Sequence, residues 1–371
     1  MERPGLKKGT KIAVAMSGGL DSSVAVLILK DAGFQPVGIT LRFWVDPHAE
    51  KLVQQRESSS FFDKDIQDAR KVAEILDIPH FVLNMEEDFY EKVVTYFLRE
   101  YTEGRTPNPC IPCNRYLKFS LLLQKARSMG INYLATGHYA RNIYCPSSGR
   151  YKLLQGKDRG KDQSYVLYTL TQQQLCAALF PLGEFTKEEI RHKARKAGLK
   201  VAEKKESQEI CFIPDNNYRG FLKRYRPHSF SRGDILSTSG EKLGEHSGLP
   251  FYTIGQRKGL GLTSTRPLYV VAMDPCRNAL IVGNKEEIYN CGLIAGDLNF
   301  VSGEAPGRHL PVQIKVRYRS PAISAILYPP EKGEAKVIFE ESHKAVTPGQ
   351  AAVFYLDEEV LGGGTIQKAL R

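Results

Sequence analysis

Lys11-Ile-Ala-Val-Ala-Met-Ser17-Gly18-Gly19-Leu20-Asp21-Ser22-Ser23 is the stretch that decides the fold of this chain. Its first part, through Ala15 and Met16, is a short apolar strand, and the residues from Ser22 to Ala32 carry a helical pattern. Only small residues, one leucine and one aspartate lie between them. Such a turn lets the backbone come close to an anion, with the first helical N–H groups and the helix dipole aimed at it. Ser17, Ser22 and Ser23 add hydroxyl donors. Asp21 would repel a phosphate by itself and makes sense if it helps to hold Mg2+ with a pyrophosphate. No lysine stands in the loop, so it is not the phosphate loop of kinases and GTPases. A plain capped turn is the competing reading, and the Asp-Ser-Ser continuation weighs against it.

Outward from this point, strand patterns over 36–43, 80–83 and 133–137 alternate with helix patterns over 63–76, 89–101 and 114–129. The alternation implies an α/β fold with a parallel sheet covered on both faces. Ligands bind such sheets at the carboxyl ends of the strands. Beyond them the chain reads as a hairpin strand over 150–156 and helices over 171–179 and 187–197. The last of these opens on a capping box, Thr186 to Glu189. From about residue 234 short strands with Gly and Pro punctuation take over, at 268–273, 279–282, 310–318, 335–339 and 351–355. The expected organisation is a parallel-sheet unit carrying the phosphate loop over 1–205, a small β-rich unit over 206–275 and a C-terminal β-barrel over 276–371. The polar stretch 46–62, with serines at 58, 59 and 60, reads as a mobile loop.

At 371 residues and 42% hydrophobic, the chain is too long for one ordinary core and too apolar for disorder. No apolar run approaches the roughly 20 residues of a membrane span, and the basic start lacks a signal-peptide pattern. A cytoplasmic protein without membrane contact is the expectation. A net charge of +11 favours a polyanionic partner. Seven cysteines, an odd number, argue against a disulfide framework.

Two of those cysteines stand in Thr106-Pro-Asn108-Pro109-Cys110-Ile-Pro-Cys113, ahead of a helix. Pro107, Pro109 and Pro112 restrict that loop. Cys113 falls near the helix start, where a thiolate is favoured, and Arg115 and Lys118 add positive charge. Cys211, in Glu206-Ser-Gln-Glu-Ile-Cys211-Phe-Ile-Pro214, reads alone as a core residue. Cys145, Cys176, Cys276 and Cys291 have no motif around them and read as structural.

The Ser17–Ser23 string resembles the pyrophosphate loop of the ATP-pyrophosphatase superfamily, whose members split ATP between its α- and β-phosphates. The cysteine segments, Ala135-Thr-Gly-His-Tyr-Ala-Arg141, Lys161-Asp-Gln-Ser-Tyr165 and Ile254-Gly-Gln-Arg-Lys-Gly-Leu-Gly261 follow in order across most of the chain. Together they resemble the tRNA-specific 2-thiouridylases, the MnmA/TrmU family. That resemblance implies ATP with Mg2+ on Ala15, Met16, Ser17, Gly18, Gly19, Leu20, Asp21 and Ser22, with Leu41 and Gly137 near adenine and ribose. It implies adenylation of O2 of the wobble uridine in tRNAs for Lys, Glu and Gln, then displacement of AMP by sulfur. Asn108, Pro109 and Cys110 would approach the flipped base. Lys161, Asp162, Gln163, Arg317 and Tyr318 would touch tRNA. Cys113 and Cys211 would be catalytic, with Cys211 carrying a persulfide from a sulfur donor. His138 would be either catalytic or, as the favoured reading, a support for the strand end beside ATP.

One position departs from the family pattern. Many members have Asp where this chain has Cys110, which adds a third thiol to the catalytic set. Cys110, Cys113 and Cys211 resemble the family variant that holds a [4Fe–4S] cluster on three cysteines and takes sulfide directly. The same thiols would also suit adventitious zinc. Two other functions stay open: another adenylating enzyme such as an amide-forming synthetase, and a non-catalytic protein that binds ATP and tRNA.

Overall fold

The computed structural model describes residues 3–51, 61–204, 210–344 and 346–371. Its first sheet has five strands, all parallel, in the order β3-β2-β1-β4-β7. These are β1 (Lys11–Ala15), β2 (Gln35–Arg42), β3 (His80–Asn84), β4 (Tyr133–Ala135) and β7 (Ala178–Leu179). Strand β1 is central because Ile12, Ala13 and Val14 are fully buried on both faces, as a parallel sheet between helices requires. Helix Leu20–Asp31 packs Val24, Ala25, Val26 and Leu29 against one face. The stretch expected to be helical over 171–179 divides. Gln172–Ala177 is the helix, and Ala178–Leu179 pairs with β4 as the edge strand.

A second sheet, ordered β10-β11-β8-β9, contains β8 (Gly233–Ser237), β9 (Lys242–His246), β10 (Tyr269–Asp274) and β11 (Ala279–Gly283). Both strands of the hairpin 269–283 belong to it, so the boundary expected at 275/276 would cut a paired hairpin. The third sheet contains β12 (Tyr289–Phe300), β13 (Leu310–Lys315), β14 (Ile323–Leu327), β15 (Ala335–Lys344), β16 (Ala351–Leu356) and β17 (Glu359–Leu370). It closes into a six-stranded barrel, β12-β15-β14-β13-β16-β17, through pairing of β12 with β17. Strand β13 stops at Lys315, earlier than expected.

The expected hairpin strand, β6 (Arg150–Gln155), pairs with β5 (Ala140–Cys145). This hairpin leaves the first unit and adds onto the barrel sheet, with Glu359 opposite Leu154. One apolar core therefore runs through both. It contains Ala13, Ile39 and Leu134 of the parallel sheet, Leu153 of the hairpin, and Val353, Tyr355 and Val360 of the barrel.

The stretch expected as a mobile loop begins with order. Asp46 is fully buried and accepts hydrogen bonds from Tyr225 Oη at 3.0 Å and from Arg224. Residues 47–51 are helical, and the triple serine lies outside the described residues.

Candidate active site: a phosphate loop and a cysteine centre

The loop after β1 is held open by its own side chains. Ser17 N donates to Ser22 Oγ at 3.1 Å, and Ser23 Oγ donates to the Gly19 carbonyl at 2.8 Å. No side chain caps the helix that starts at Leu20, so its first N–H groups face outward from Gly19. Gly18 has φ +64, and a Cβ there would stand 2.3 Å from the Asp65 carbonyl oxygen. Gly137 is pressed as closely to the loop: its Cβ would meet Ser22 N at 2.8 Å. The expected phosphate loop and Gly137 are thus brought together, and Met16 and Leu41 are buried at the ends of β1 and β2.

Two lysines complete this loop from far along the chain, and neither stood out in the sequence. Lys187 Nζ lies 2.8 Å from both carboxylate oxygens of Asp21, whose Oδ1 also accepts from Tyr139 Oη at 2.7 Å. Lys204 Nζ donates to the Gly18 carbonyl at 3.2 Å and pairs with Asp65 and Asp68 at 2.8 and 2.9 Å. Lys187 is the first residue of helix Lys187–Lys196, whose Thr186–Glu189 capping box forms as expected. The only sequence signal for Lys187 was its place one residue after that cap.

The cysteine loop enters a helix over 110–128 that widens to π geometry at Cys113–Leu122. Asn108 is its organiser: Oδ1 accepts from Cys110 N at 3.1 Å. Cys113 is one turn inside the helix, and it shares an apolar cluster with Phe212, the neighbour of Cys211. Asp46 N donates to the Phe212 carbonyl at 3.1 Å, fixing that segment from the β2 side.

The expected activation of Cys113 by a helix start is not what the site provides. Burial pushes its thiol up to about 11, with Cys110 raising it further and Lys118 lowering it. Cys110 and Cys211 are exposed as residues, yet the protein around their sulfurs holds both thiols above the usual range. Desolvation is the main cause at each, and Cys113 and Cys110 both raise Cys211. The three thiols therefore act on one another, and Lys118 is the cation that opposes them. Arg115 turns away, to Asp297 of the barrel at 3.2 Å. Among the described residues no three His, Cys, Asp or Glu groups converge on a position for one metal ion.

His138 is buried between Phe119 and Phe180, with Nδ1 2.7 Å from Thr136 Oγ1. Burial holds it well below the usual histidine range.

The residues expected to meet RNA fall into two groups. Asp162 is buried and saturated by Gly156 N, Ser164 N and Ser164 Oγ, with Lys315 Nζ at 3.5 Å. Gln163 Oε1 accepts from Tyr139 N at 3.0 Å. Both side chains build the site rather than reach out of it. Lys161 and Pro109 are half-buried at the surface. Arg317 joins units: its Nη2 donates to Thr347 Oγ1 at 2.6 Å and to the Ile254 carbonyl at 3.4 Å. Tyr318 packs its ring 5.9 Å from that of Tyr165.

The barrel turn that follows Thr347 closes on the cysteine loop. Thr106 N donates to the Pro348 carbonyl at 3.0 Å, and Gln350 Nε2 donates to the Thr106 carbonyl at 2.7 Å. Gly349 has φ +89, and a Cβ there would lie 2.9 Å from Thr106 N.

Comparison with known proteins matches the chain to three family models in succession. They are a tRNA methyl transferase HUP domain over residues 10–215, a PRC-barrel domain over 219–284 and an aminomethyltransferase β-barrel domain over 290–366. The tRNA-specific 2-thiouridylase MnmA 1 of Caldanaerobacter subterraneus subsp. tengcongensis is 49% identical over 99% of this chain and 100% of its own length. This chain belongs to the tRNA-specific 2-thiouridylase family. MnmA of Carboxydothermus hydrogenoformans is 49% identical over 97% of this chain, and MnmA of Moorella thermoacetica 50% identical over 95%, each covered to 98% of its length. Membership spans all three units, barrel included, although sequence motifs for the barrel were the loosest.

Proposed function

We propose that this chain is an ATP-dependent tRNA-uridine 2-sulfurtransferase acting in the cytoplasm. The observation that carries the reading is one chain, within this family, that holds a lysine-backed phosphate loop and packs the Cys113 helix against Phe212, the neighbour of Cys211. Among the described residues no helix is long and apolar enough to cross a membrane.

ATP lies on residues 15–22, its pyrophosphate against the open N–H groups after Gly19. Lys187 supplies the cation that the loop lacks. Asp21 would be the carboxylate to hold Mg2+ beside the pyrophosphate, and Lys187, paired with it at 2.8 Å, would be the cation free to turn to phosphate. O2 of the wobble uridine, in tRNAs for Lys, Glu and Gln, displaces pyrophosphate from the α-phosphorus. A sulfur nucleophile then adds at C2, and AMP leaves with the former O2. Asn108, Pro109 and the cysteine loop receive the flipped base, and Lys161, Arg317 and Tyr318 border the RNA.

Cys110, Cys113 and Cys211 handle the sulfur. Their donor set fits a [4Fe–4S] cluster, whose protein ligands bind three separate irons rather than one. Lys118 is a cation that lowers all three thiols against their burial. When bound, such a cluster would offer an iron not ligated by protein to sulfide. The residues' part is to hold it beside the base, shielded by Phe212 and Leu117.

The test is 2-thiouridine formation on a tRNA transcript with ATP, by nucleoside mass spectrometry, after anaerobic purification and iron analysis. About four irons per chain, lost in Cys110→Ser, with sulfide as sufficient donor, supports the cluster. Iron-free protein that thiolates with a persulfide donor overturns the cluster and leaves Cys211 as carrier. Equal thiolation by Cys211→Ser overturns the whole mechanism.

A further inference from the structure

Three cations in the central unit take no part in the site described above. Between Glu245 and Asp274 the chain contains no acidic residue, while Arg257, Lys258 and Arg266 share one loop. All three are exposed, and none forms an ion pair among the described residues. The neighbouring strands behave differently: Lys242 pairs with both Asp234 and Glu245. A solvated surface normally interleaves its charges in that second way, so the excess is confined to this loop.

Its shape is set by one anchor. Leu260 is buried with Ile235, Leu249, Val270 and Leu280, and Gly259 and Gly261 on either side have φ +75 and +71. The chain turns back around that leucine, leaving Arg257-Lys258 on one limb and Thr263-Ser264-Thr265-Arg266 on the other. Gln256 stiffens the first limb, accepting from Thr253 N at 3.2 Å and donating to the Lys258 carbonyl at 2.9 Å. The limbs border a hollow of about 420 Å3 whose wall includes Arg257, Arg266, Ser264 and Thr265. Guanidinium groups, hydroxyls and glycine backbone are the donors that phosphodiesters take. At the root of the loop, the Ile254 carbonyl accepts from Arg317 of the barrel.

We propose that the 257–266 loop is a phosphodiester-binding surface that holds the RNA backbone of the substrate outside the cysteine centre. The proposal rests on the RNA substrate of the preceding section. Each phosphate it neutralises releases condensed counterions, so its signature is in the salt dependence of binding. A loop that only shapes the protein has no such signature.

The experiment measures binding of full-length tRNA to the whole enzyme between 50 and 200 mM KCl (about one Debye length from 14 to 7 Å). Arg257→Ala/Arg266→Ala should weaken binding about tenfold at the low-salt end and flatten the slope of log K against log salt by about 1 to 2. Arg257→Lys/Arg266→Lys should keep most of the slope. Unchanged ATP affinity in both variants shows that they are folded. Inorganic phosphate at millimolar concentration should not abolish the difference between wild type and the alanine variant; if it does, the loop takes free anions and the proposal is overturned. An unchanged affinity and slope overturns it too, and so does a loss of affinity with the slope intact. If the wild type binds no tRNA, the proposed function itself has failed rather than this loop.

Discussion

At the scale of single residues, Lys187 carries the clearest expectation. Its ammonium neutralises Asp21 in the free protein, and pyrophosphate cleavage needs a cation at that place. Lys187→Gln should lower the rate of pyrophosphate release about 100-fold while changing tRNA affinity little. Steady-state and single-turnover assays separate those two, and a normal rate would remove Lys187 from the chemistry. Cys145 is a second case. It was read as structural, yet it lies half-exposed in a hairpin turn, and hydrogen bonds from Ser147 and Ser148 lower its thiol to about 7. The thiolate is the reactive form, so reactivity rises as pH passes through its value. In metal-free, ligand-free protein at pH 7.5, iodoacetamide should modify Cys145 first and Cys113, held up near 11, late. Peptide mass mapping reads that order. Ser147→Ala should move the Cys145 midpoint upward, and Cys145→Ser should leave thiolation unchanged.

At the scale of elements, the sequence revealed the strand–helix alternation because period and punctuation agree there. It was less informative wherever glycine meant closeness instead of a break. Strands β12 and β17 went unread because Gly292, Gly296 and the Gly362-Gly363-Gly364 run look like interruptions. In the barrel they are places where strands touch: a Cβ on Gly292 would lie 2.3 Å from the Val337 carbonyl oxygen. The cysteine helix was legible as a helix but not as a π helix, since the wider turn changes which residues share a face. The motif residues of the site were plain, whereas Lys187, Lys204 and Asp46 act through long-range pairs that no local pattern records. Two predictions belong here. Thr186→Ala removes the cap of the helix that presents Lys187 and should cost about 1 kcal/mol, seen as a lower denaturant midpoint. Gly349→Ala forces a side chain against Thr106 at a left-handed backbone position. It should lower thiolation and speed alkylation of Cys110 while leaving ATP affinity intact; unchanged alkylation would mean that the turn does not hold the cysteine loop.

At the scale of the molecule, the barrel is not an appendage. The first sheet, the hairpin 140–155 and the barrel share a core in which Leu153, Val353 and Val360 are fully buried. Ion pairs cross the same seam, among them Lys152 with Glu359 and Arg141 with Glu358, but exposed pairs add little and the apolar contacts dominate. A chain ended after residue 283 should therefore expose an apolar face, bind a hydrophobic dye and lose its cooperative melting. Clean two-state melting of that fragment would contradict the shared core.

That shared core also sets a schedule for biosynthesis. Ala13 and Val360 pack in one cluster, yet they leave the ribosome at opposite ends of translation. At about 5 to 20 residues per second the interval is on the order of 20 to 70 s. Through that time the nascent catalytic half waits with one flank uncovered, so its maturation is post-translational and is a natural point of call for chaperones. The same dependence ties the two halves in descent: a gene fusion or recombination that swapped the barrel would have to re-cut the interior of the enzyme as well.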